Sequence, residues 1–427
     1  MRVSVSERTY LAEAPSEGDV TFLAWLHGLK SGESGLIIKL RDGSGVREYK
    51  ATGKVESLKG LTKESLIVLR GKVKGEELYV EDLDVVERAP PSLPLDPEDP
   101  SPAKVDAFTR YSYLVIRSPK YMKVLKAQQE ILKYIREFLY GKGFTELLSP
   151  MISPCSDPGL RGAKKLKTTF YGETYELMSS VIMFKQASVA ALERVFFVAR
   201  NVREEPPENV KTGRHLCEFT QIDVEWAFAS MWDAMKLGEE LVKYVIERFS
   251  DEHGSLLKEF GRELEAPKAP FKVLSYDEAV RELEKVGIKT PKGKELTFGG
   301  EAKLPELYGS PVWIIMYPKE SRGFYYIEDE EKKGYNRDFN LVLPEGCGEV
   351  IDGGEREYRY EKIVERIKLM GEDPKNYSWF LELAKIGIPP SSGFGLGLER
   401  FTRYILGLKY VWEASLFPKV PGIAFSP

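Results

Sequence analysis

The segment Ala89-Pro-Pro-Ser-Leu-Pro-Leu-Asp-Pro-Glu-Asp-Pro-Ser-Pro102 constrains the fold more than any other stretch. It holds six prolines in fourteen residues. Each proline lacks a backbone donor and has φ fixed at about −65°, so neither a helix interior nor a central strand can run through the segment. It reads as a stiff connector between separately folded bodies. The 427-residue chain is long enough for two or three of them.

The two flanks carry different periodicities. Before the connector, Val20–His27, Gly35–Arg41, Ser65–Arg70 and Glu77–Val86 are short strand-like runs separated by Gly-, Ser- and Lys-bearing turns. Several strands in under 90 residues suggest a small β-barrel. After it, Tyr121, Val124, Leu125, Gln128, Ile131, Leu132, Ile135, Phe138 and Leu139 recur at helical spacing, up to Gly141-Lys-Gly143. A second helix is expected over Trp232–Phe249. Strand-like runs, Val195–Ala199 and Phe219–Glu225, lie between the two. Helices with mainly antiparallel strands give an α+β class. The expected division is a barrel over 1–88, a proline-rich hinge over 89–115 and a catalytic domain over 116–427.

Composition excludes several function classes. The net charge of −4 gives no global pull toward nucleic acid, so RNA binding would need a local basic patch. Cys155, Cys217 and Cys347 contain no CxxC pair, which excludes a zinc framework and a disulfide scaffold. Three histidines argue against a histidine-rich metal site. No run approaches 18 apolar residues, so no membrane span is expected. The opening MRVSVSERTY lacks the apolar core of a secretion signal, so a cytoplasmic location is expected.

Three arginine-bearing clusters carry the candidate chemistry. The first is Arg203-Glu-Glu205, then Arg214-His215 and Glu218–Glu225; a hairpin would gather Arg203, Arg214 and His215. Residues 219, 221, 223 and 225 would share one strand face, carrying an aromatic ring, an amide and two carboxylates. A salt-bridged surface hairpin is the competing reading. The second cluster is Gly346–Glu357. In it Glu349 and Asp352 suit a divalent cation, since Mg²⁺ takes one or two carboxylates plus substrate phosphates; a glycine-rich turn with charged edges is the alternative. In the third, Gly393-Phe-Gly-Leu-Gly-Leu-Glu-Arg400, small residues precede a helix with Arg400 one turn in. It is neither a dinucleotide fingerprint nor a P-loop.

In order and spacing these clusters resemble the three motifs of class II aminoacyl-tRNA synthetases. Gly143-Phe-Thr-Glu-Leu-Leu-Ser-Pro150 is similar to motif 1, the 203–225 hairpin to motif 2, and 393–400 to motif 3. Arg214-His-Leu-Cys-Glu-Phe-Thr220, Gly348–Glu357 and Arg117-Ser-Pro119 place the resemblance in the aspartyl/asparaginyl branch. It covers nearly the whole chain. It implies an antiparallel-sheet catalytic domain, an N-terminal OB-type barrel, a homodimer, and ATP, Mg²⁺, tRNA and aspartate or asparagine as partners. It implies that Arg203 holds the α-phosphate and the amino-acid carboxylate, and that Glu205 meets the adenine edge. Phe219 and Arg400 would sandwich the adenine, while Arg214 and His215 steady the triphosphate. Glu349 and Asp352 would ligate Mg²⁺, and Asp223 would face the substrate ammonium.

Lys185 and Arg356 stand where the resemblance puts side-chain-binding residues, and two cations facing one side chain suit a carboxylate. The overall layout suits an asparaginyl enzyme. The chain departs from the family at Asn340, where an acidic residue is usual, and at Met178-Ser-Ser180, where Gln-Ser-Pro is usual. It departs again at Ile37, where a base-stacking phenylalanine is usual; isoleucine has no π-face. Barrel cations Lys30, Lys39, Arg41 and Arg47 would then supply phosphate contacts. The catalytic half also resembles archaeal asparagine synthetases, which consume an aspartyl-adenylate with ammonia. A catalytically silent paralogue is a third reading, opposed by the intact Arg203, Glu349 and Arg400.

Overall fold

The computed structural model describes residues 5–32, 35–157, 160, 162–291 and 293–427. The chain divides into two compact units, Met1–Lys123 and Val124–Pro427.

The first unit is built on a closed five-stranded barrel of order β1-β2-β3-β5-β4. Its strands are β1 (Glu17–Gly32), β2 (Gly35–Arg41), β3 (Val46–Gly53), β4 (Leu66–Lys74) and β5 (Glu77–Glu87). Alternate residues point inward, so Phe22, Ile38, Leu40, Tyr49, Leu69 and Leu78 fill the interior. Strand β3 was not expected from the sequence. It buries only Tyr49 and Ala51 among charged neighbours, which hides the alternation. A buried ionic knot sits at Glu64. The carboxylate accepts from His27 Nδ1 at 2.7 Å, Arg41 Nη2 at 2.7 Å and Arg117 Nη1 at 3.0 Å. Burial acts to raise the Glu64 pKa, but the three donors prevail and hold it at about 2. The proline-rich segment carries no helix or strand. It is pinned within this unit by Lys63, which pairs with Asp96 and Glu98. Two short helices follow, α1 (Val105–Arg110) and α2 (Ser112–Val115).

Three of the four barrel cations expected to meet phosphate have partners within this unit. Arg41 is buried on Glu64. Arg47 donates to the carbonyls of Leu11 and Ala14, and Lys39 pairs with Glu98. Lys30 is exposed on β1, in register with Ile37, which pairs in turn with Lys50 on β3.

Helix α3 (Pro119–Gly141) is the long amphipathic helix read from the sequence. The second unit is organised by an eight-stranded sheet of order β12-β13-β14-β15-β16-β11-β10-β6. In chain order the strands and helices are β6 (Thr145–Leu147), β7 (Ile152–Ser153), β8 (Lys167–Phe170), β9 (Glu173–Leu177), α4 (Ile182–Leu192), β10 (Arg194–Val202), β11 (Glu218–Ala227) and α5 (Met231–Glu259). There follow β12 (Lys272–Ser275), α6 (Tyr276–Lys285), α7 (Phe298–Tyr308), β13 (Val312–Ile315), β14 (Asp338–Leu343), β15 (Gly348–Glu355), α8 (Tyr360–Leu369), α9 (Ser378–Ile386), β16 (Ser391–Gly397) and α10 (Leu398–Leu406). The pairs β10–β6 and β12–β13 are parallel and the rest of the large sheet is antiparallel. Strands β7, β9 and β8 form a separate small sheet.

Helix α5 covers one face of the large sheet. It opens with a reciprocal Ser230–Asp233 capping box, which satisfies first-turn donors. At Gly238 an added Cβ would lie 3.2 Å from Ile351 and 3.7 Å from Phe394, so the helix packs closely on β15 and β16. Strand alternation then sends Asp352 and Gly395 to the opposite face, where the candidate site lies.

Candidate functional site

Every residue proposed from the sequence as a site residue lines a single cavity on that open face. Arg203, Glu205, Arg214, His215, Phe219, Asp223, Glu349, Asp352, Arg356, Arg400 and Lys185 all border it. The β10–β11 hairpin supplies the first group, in the register Val202 to Glu218 and Asn201 to Phe219. Phe219, Gln221 and Asp223 point into the cavity from alternate positions of β11, and Glu225 is fully buried in the same row. The connecting loop holds a 3₁₀ turn, Pro207–Thr212, which returns Arg214 and His215 to the cavity.

At one end Arg203 donates to the Ser179 carbonyl at 3.0 Å and lies 5.2 Å from the Phe219 ring centroid. Glu205 accepts from Asn209 Nδ2 at 3.0 Å. Arg400 is the third residue of α10. Its Nη1 reaches the Glu349 carbonyl at 2.9 Å and its Nε the Arg214 carbonyl at 3.1 Å. Burial depresses the Arg400 pKa, and the nearby Arg214 cation adds to this. The guanidinium groups of Arg203, Arg214 and Arg400 thus all border the cavity, a disposition suited to a polyanion.

Glu349 and Asp352 differ in parity and would face opposite sides of a regular strand. A register shift between β14 and β15 pairs Leu341 with Ile351 but Val342 with Glu349, leaving Val350 as the extra residue. This bulge turns both carboxylates into the cavity. Asn340 holds Glu349 through its Nδ2 at 2.8 Å. Asp352 accepts from Arg322 Nη1 at 2.6 Å and from the Tyr326 hydroxyl. No group of three or more metal-ligating side chains exists among the described residues. Two carboxylates completed by substrate phosphates are nonetheless a normal Mg²⁺ donor set, and this pair fits it.

The floor of the cavity is charge-balanced. Lys185, projecting from α4, is buried at 2% exposure rather than lying on the surface. Its ammonium meets Asp223 Oδ1 at 3.3 Å and the carbonyls of Val224 and Phe394 at 3.3 and 3.2 Å, using all three of its donors. Arg356 is likewise buried. Its Nε meets Glu225 Oε1 at 3.0 Å and its Nη2 the Gly393 carbonyl at 2.9 Å. Burial alone would lower the Arg356 pKa, but Glu225 overcomes it and raises it. Burial raises the Asp223 pKa against the opposing pull of Lys185. Each of the two cations expected to face one substrate side chain also has an internal carboxylate partner. Arg356 Nη1 and Asp223 Oδ2 stay buried without hydrogen-bond partners. Gly393 permits this crossing, since a Cβ there would lie 2.4 Å from Glu225 Oε2.

This geometry has relatives. A family model described as tRNA synthetases class II (D, K and N) matches residues 104–421. The chain belongs to that family. The asparagine--tRNA ligase of Pyrococcus abyssi is 32% identical over 434 residues, covering 97% of this chain and 98% of the relative. The aspartate--tRNA(Asp/Asn) ligase of Methanothermobacter thermautotrophicus is 30% identical over 422 residues, covering 95% of each. Among solved structures, the asparaginyl-tRNA synthetase of Pyrococcus horikoshii complexed with asparaginyl-adenylate superposes with a TM-score of 0.87 at 29% identity, covering 99% of this chain and 100% of that one. The α+β fold with an N-terminal OB barrel is thereby shared.

The sequence reading missed several lining residues of this synthetase. Phe298, Glu301, Arg322, Tyr325 and Tyr326 all border the cavity. Arg322 is nearly buried, 3.8 Å from the Tyr317 ring centroid, and pairs with Asp338 as well as Asp352. The run Arg322-Gly-Phe-Tyr-Tyr326 offered a signal, a lone cation beside aromatics, but no periodicity to place it. Phe298 and Glu301 open α7, a helix whose pattern says nothing of the distant hairpin it meets.

Proposed function

We propose that this class II synthetase activates asparagine with ATP and transfers it from the adenylate to the 3′ end of tRNA, working as a cytoplasmic homodimer. The observation that carries the amino-acid choice is the balanced floor. Lys185 and Arg356 are offset by Asp223 and Glu225, so no surplus positive charge awaits a substrate carboxylate. Arg356 Nη1 is a donor for the amide oxygen, and Asp223 Oδ2 an acceptor for a substrate N–H. A buried carboxylate added beside two others is disfavoured by like-charge repulsion.

In this reading the substrate α-carboxylate attacks the α-phosphorus. The new O–P bond forms as the bond to the β-phosphate bridging oxygen breaks, and pyrophosphate leaves. Arg203 offsets the charge developing on the α-phosphate, Phe219 and Arg400 hold the adenine, and Glu205 meets its edge. Arg214 and His215 hold the triphosphate end. Catalysis is positioning and charge stabilisation, with no covalent nucleophile. Glu349 and Asp352 would hold the Mg²⁺ that accompanies ATP and offsets its phosphate charge. The dimer reading is supported by the motif 1 segment, where Leu148 is 96% exposed, and by its flanks, where Tyr140 and Met151 are also exposed.

The test is amino-acid-dependent ATP–pyrophosphate exchange, followed by charging of total tRNA. Exchange with asparagine well above aspartate, and tRNA charging, are expected. Exchange with aspartate alone, together with asparagine formation from ammonia, would replace this reading with asparagine synthesis.

A further inference from the structure

The triphosphate end of the cavity contains an anion of its own. Arg214 is 4% exposed, and its Nη2 donates to Glu301 Oε2 at 3.0 Å. Its guanidinium lies 5.6 Å from the Phe298 ring centroid, and the same ring meets His215 edge-on at 4.8 Å. Glu301 and Phe298 both belong to the first turn of α7, which is fixed by the Thr297 side chain accepting from the Gly300 amide at 3.1 Å. Arg214 Nε and Nη1 are buried with no hydrogen-bond partner. A buried guanidinium thus faces the cavity with donors in hand and one internal carboxylate already on it.

We infer that Glu301 is a positioning residue that acts through Arg214 as an internal stand-in for phosphate. It holds the guanidinium in place before ATP binds and competes for it with the triphosphate, and so weakens the hold on pyrophosphate once the adenylate has formed. The inference rests on the proposed placement of the triphosphate at Arg214. Two physical facts support it. An internal partner lowers the apparent affinity of a ligand for the same group by the fraction of time that group is occupied. A carboxylate about 3 Å from the guanidinium also repels any phosphate oxygen brought to it. A synthetase gains from this arrangement because pyrophosphate retained beside the adenylate reverses the reaction.

The test uses the full-length protein with Glu301→Gln, Glu301→Asp, Arg214→Ala and the Glu301→Gln/Arg214→Ala pair. Dissociation constants for magnesium pyrophosphate and for ATP are measured by calorimetry, with thermal denaturation as a folding control. Glu301→Gln should bind pyrophosphate about 10-fold more tightly. Glu301→Asp, which keeps the charge, should stay near wild type, and the gain should vanish in the Arg214→Ala background. Unchanged or weaker pyrophosphate binding in a folded Glu301→Gln protein, with Arg214→Ala still impairing ATP binding, would make Glu301 a simple prop and overturn the inference alone. ATP binding indifferent to Arg214→Ala would overturn both the inference and the placement beneath it.

Discussion

Replacing Lys185 with methionine tests the balanced floor directly. The substitution keeps most of the apolar stem and removes one positive charge from a group of two cations and two carboxylates. With an effective dielectric of about 20, a unit charge about 6 Å from the substrate side chain is worth roughly 3 kcal/mol, or about 100-fold. An aspartate side chain loses that amount and a neutral asparagine little, so the aspartate-to-asparagine ratio in ATP–pyrophosphate exchange should fall by about 100-fold. The same change strands Asp223, which is almost fully buried, so stability in urea should drop by about 3–5 kcal/mol. Adding Asp223→Asn should recover part of that loss. Burial already raises the Asp223 pKa while Lys185 opposes it. Without the lysine the carboxyl keeps its proton to higher pH, and the floor turns negative only when that proton leaves. The defect with aspartate should therefore grow as pH rises and that proton leaves. An unchanged ratio at every pH, or strictly additive stability losses in the double variant, would refute the balanced floor.

Further expectations concern groups elsewhere in the fold. Gly348 has φ +74°, and an added Cβ would lie 2.1 Å from the Arg214 guanidinium, so Gly348→Ala should displace that cation and lower the exchange rate by about 10²–10³ while tRNA binding is retained. Asp338 has its pKa raised to about 7 by burial against the opposing Arg322. The folded state keeps this proton while the unfolded state loses it, so the raised group should cost about 4 kcal/mol of stability as pH climbs from about 4 to 7, and Asp338→Asn should flatten denaturation midpoints across that window. Glu64, held at about 2, has the opposite sign: its contribution is present above the unfolded pKa and is lost as pH falls toward 2. Glu64→Gln should cost the barrel about 3–5 kcal/mol in thermal or urea denaturation, since it leaves Arg41 buried without its charge partner.

Much of the fold was legible because its signals are local. The proline run, the helical spacing of α3 and α5, and the runs that became β10 and β11 each depend on neighbours within a few residues. Strand β3 was not legible because only Tyr49 and Ala51 turn inward and the charged residues around them resemble a turn. The cavity residues were identified by residue type and order, and all of them do border one cavity. The energetics between them were not legible. Lys185 and Arg356 read as two cations facing one side chain, and sequence spacing cannot show that Asp223 and Glu225 pair with them.

The bulge at Val350 makes the same point about geometry. Glu349 and Asp352 differ by three positions, and a regular ladder would separate them to opposite faces. One unpaired residue against β14 brings them together, and no residue type announces it. The Asn340 departure is understood only at this level. Asn340 stands opposite Asp352 in the β14–β15 register, donates to Glu349 and accepts from Arg322 at 3.2 Å. Beside a buried arginine already paired with Glu295, Asp338 and Asp352, an amide serves both as donor and as acceptor without adding another negative charge. The family's usual acid at that position would have to share Arg322 with Asp352 and Asp338. In the folded protein Asn340 is the neutral link between Arg322 and Glu349 in that corner of the site.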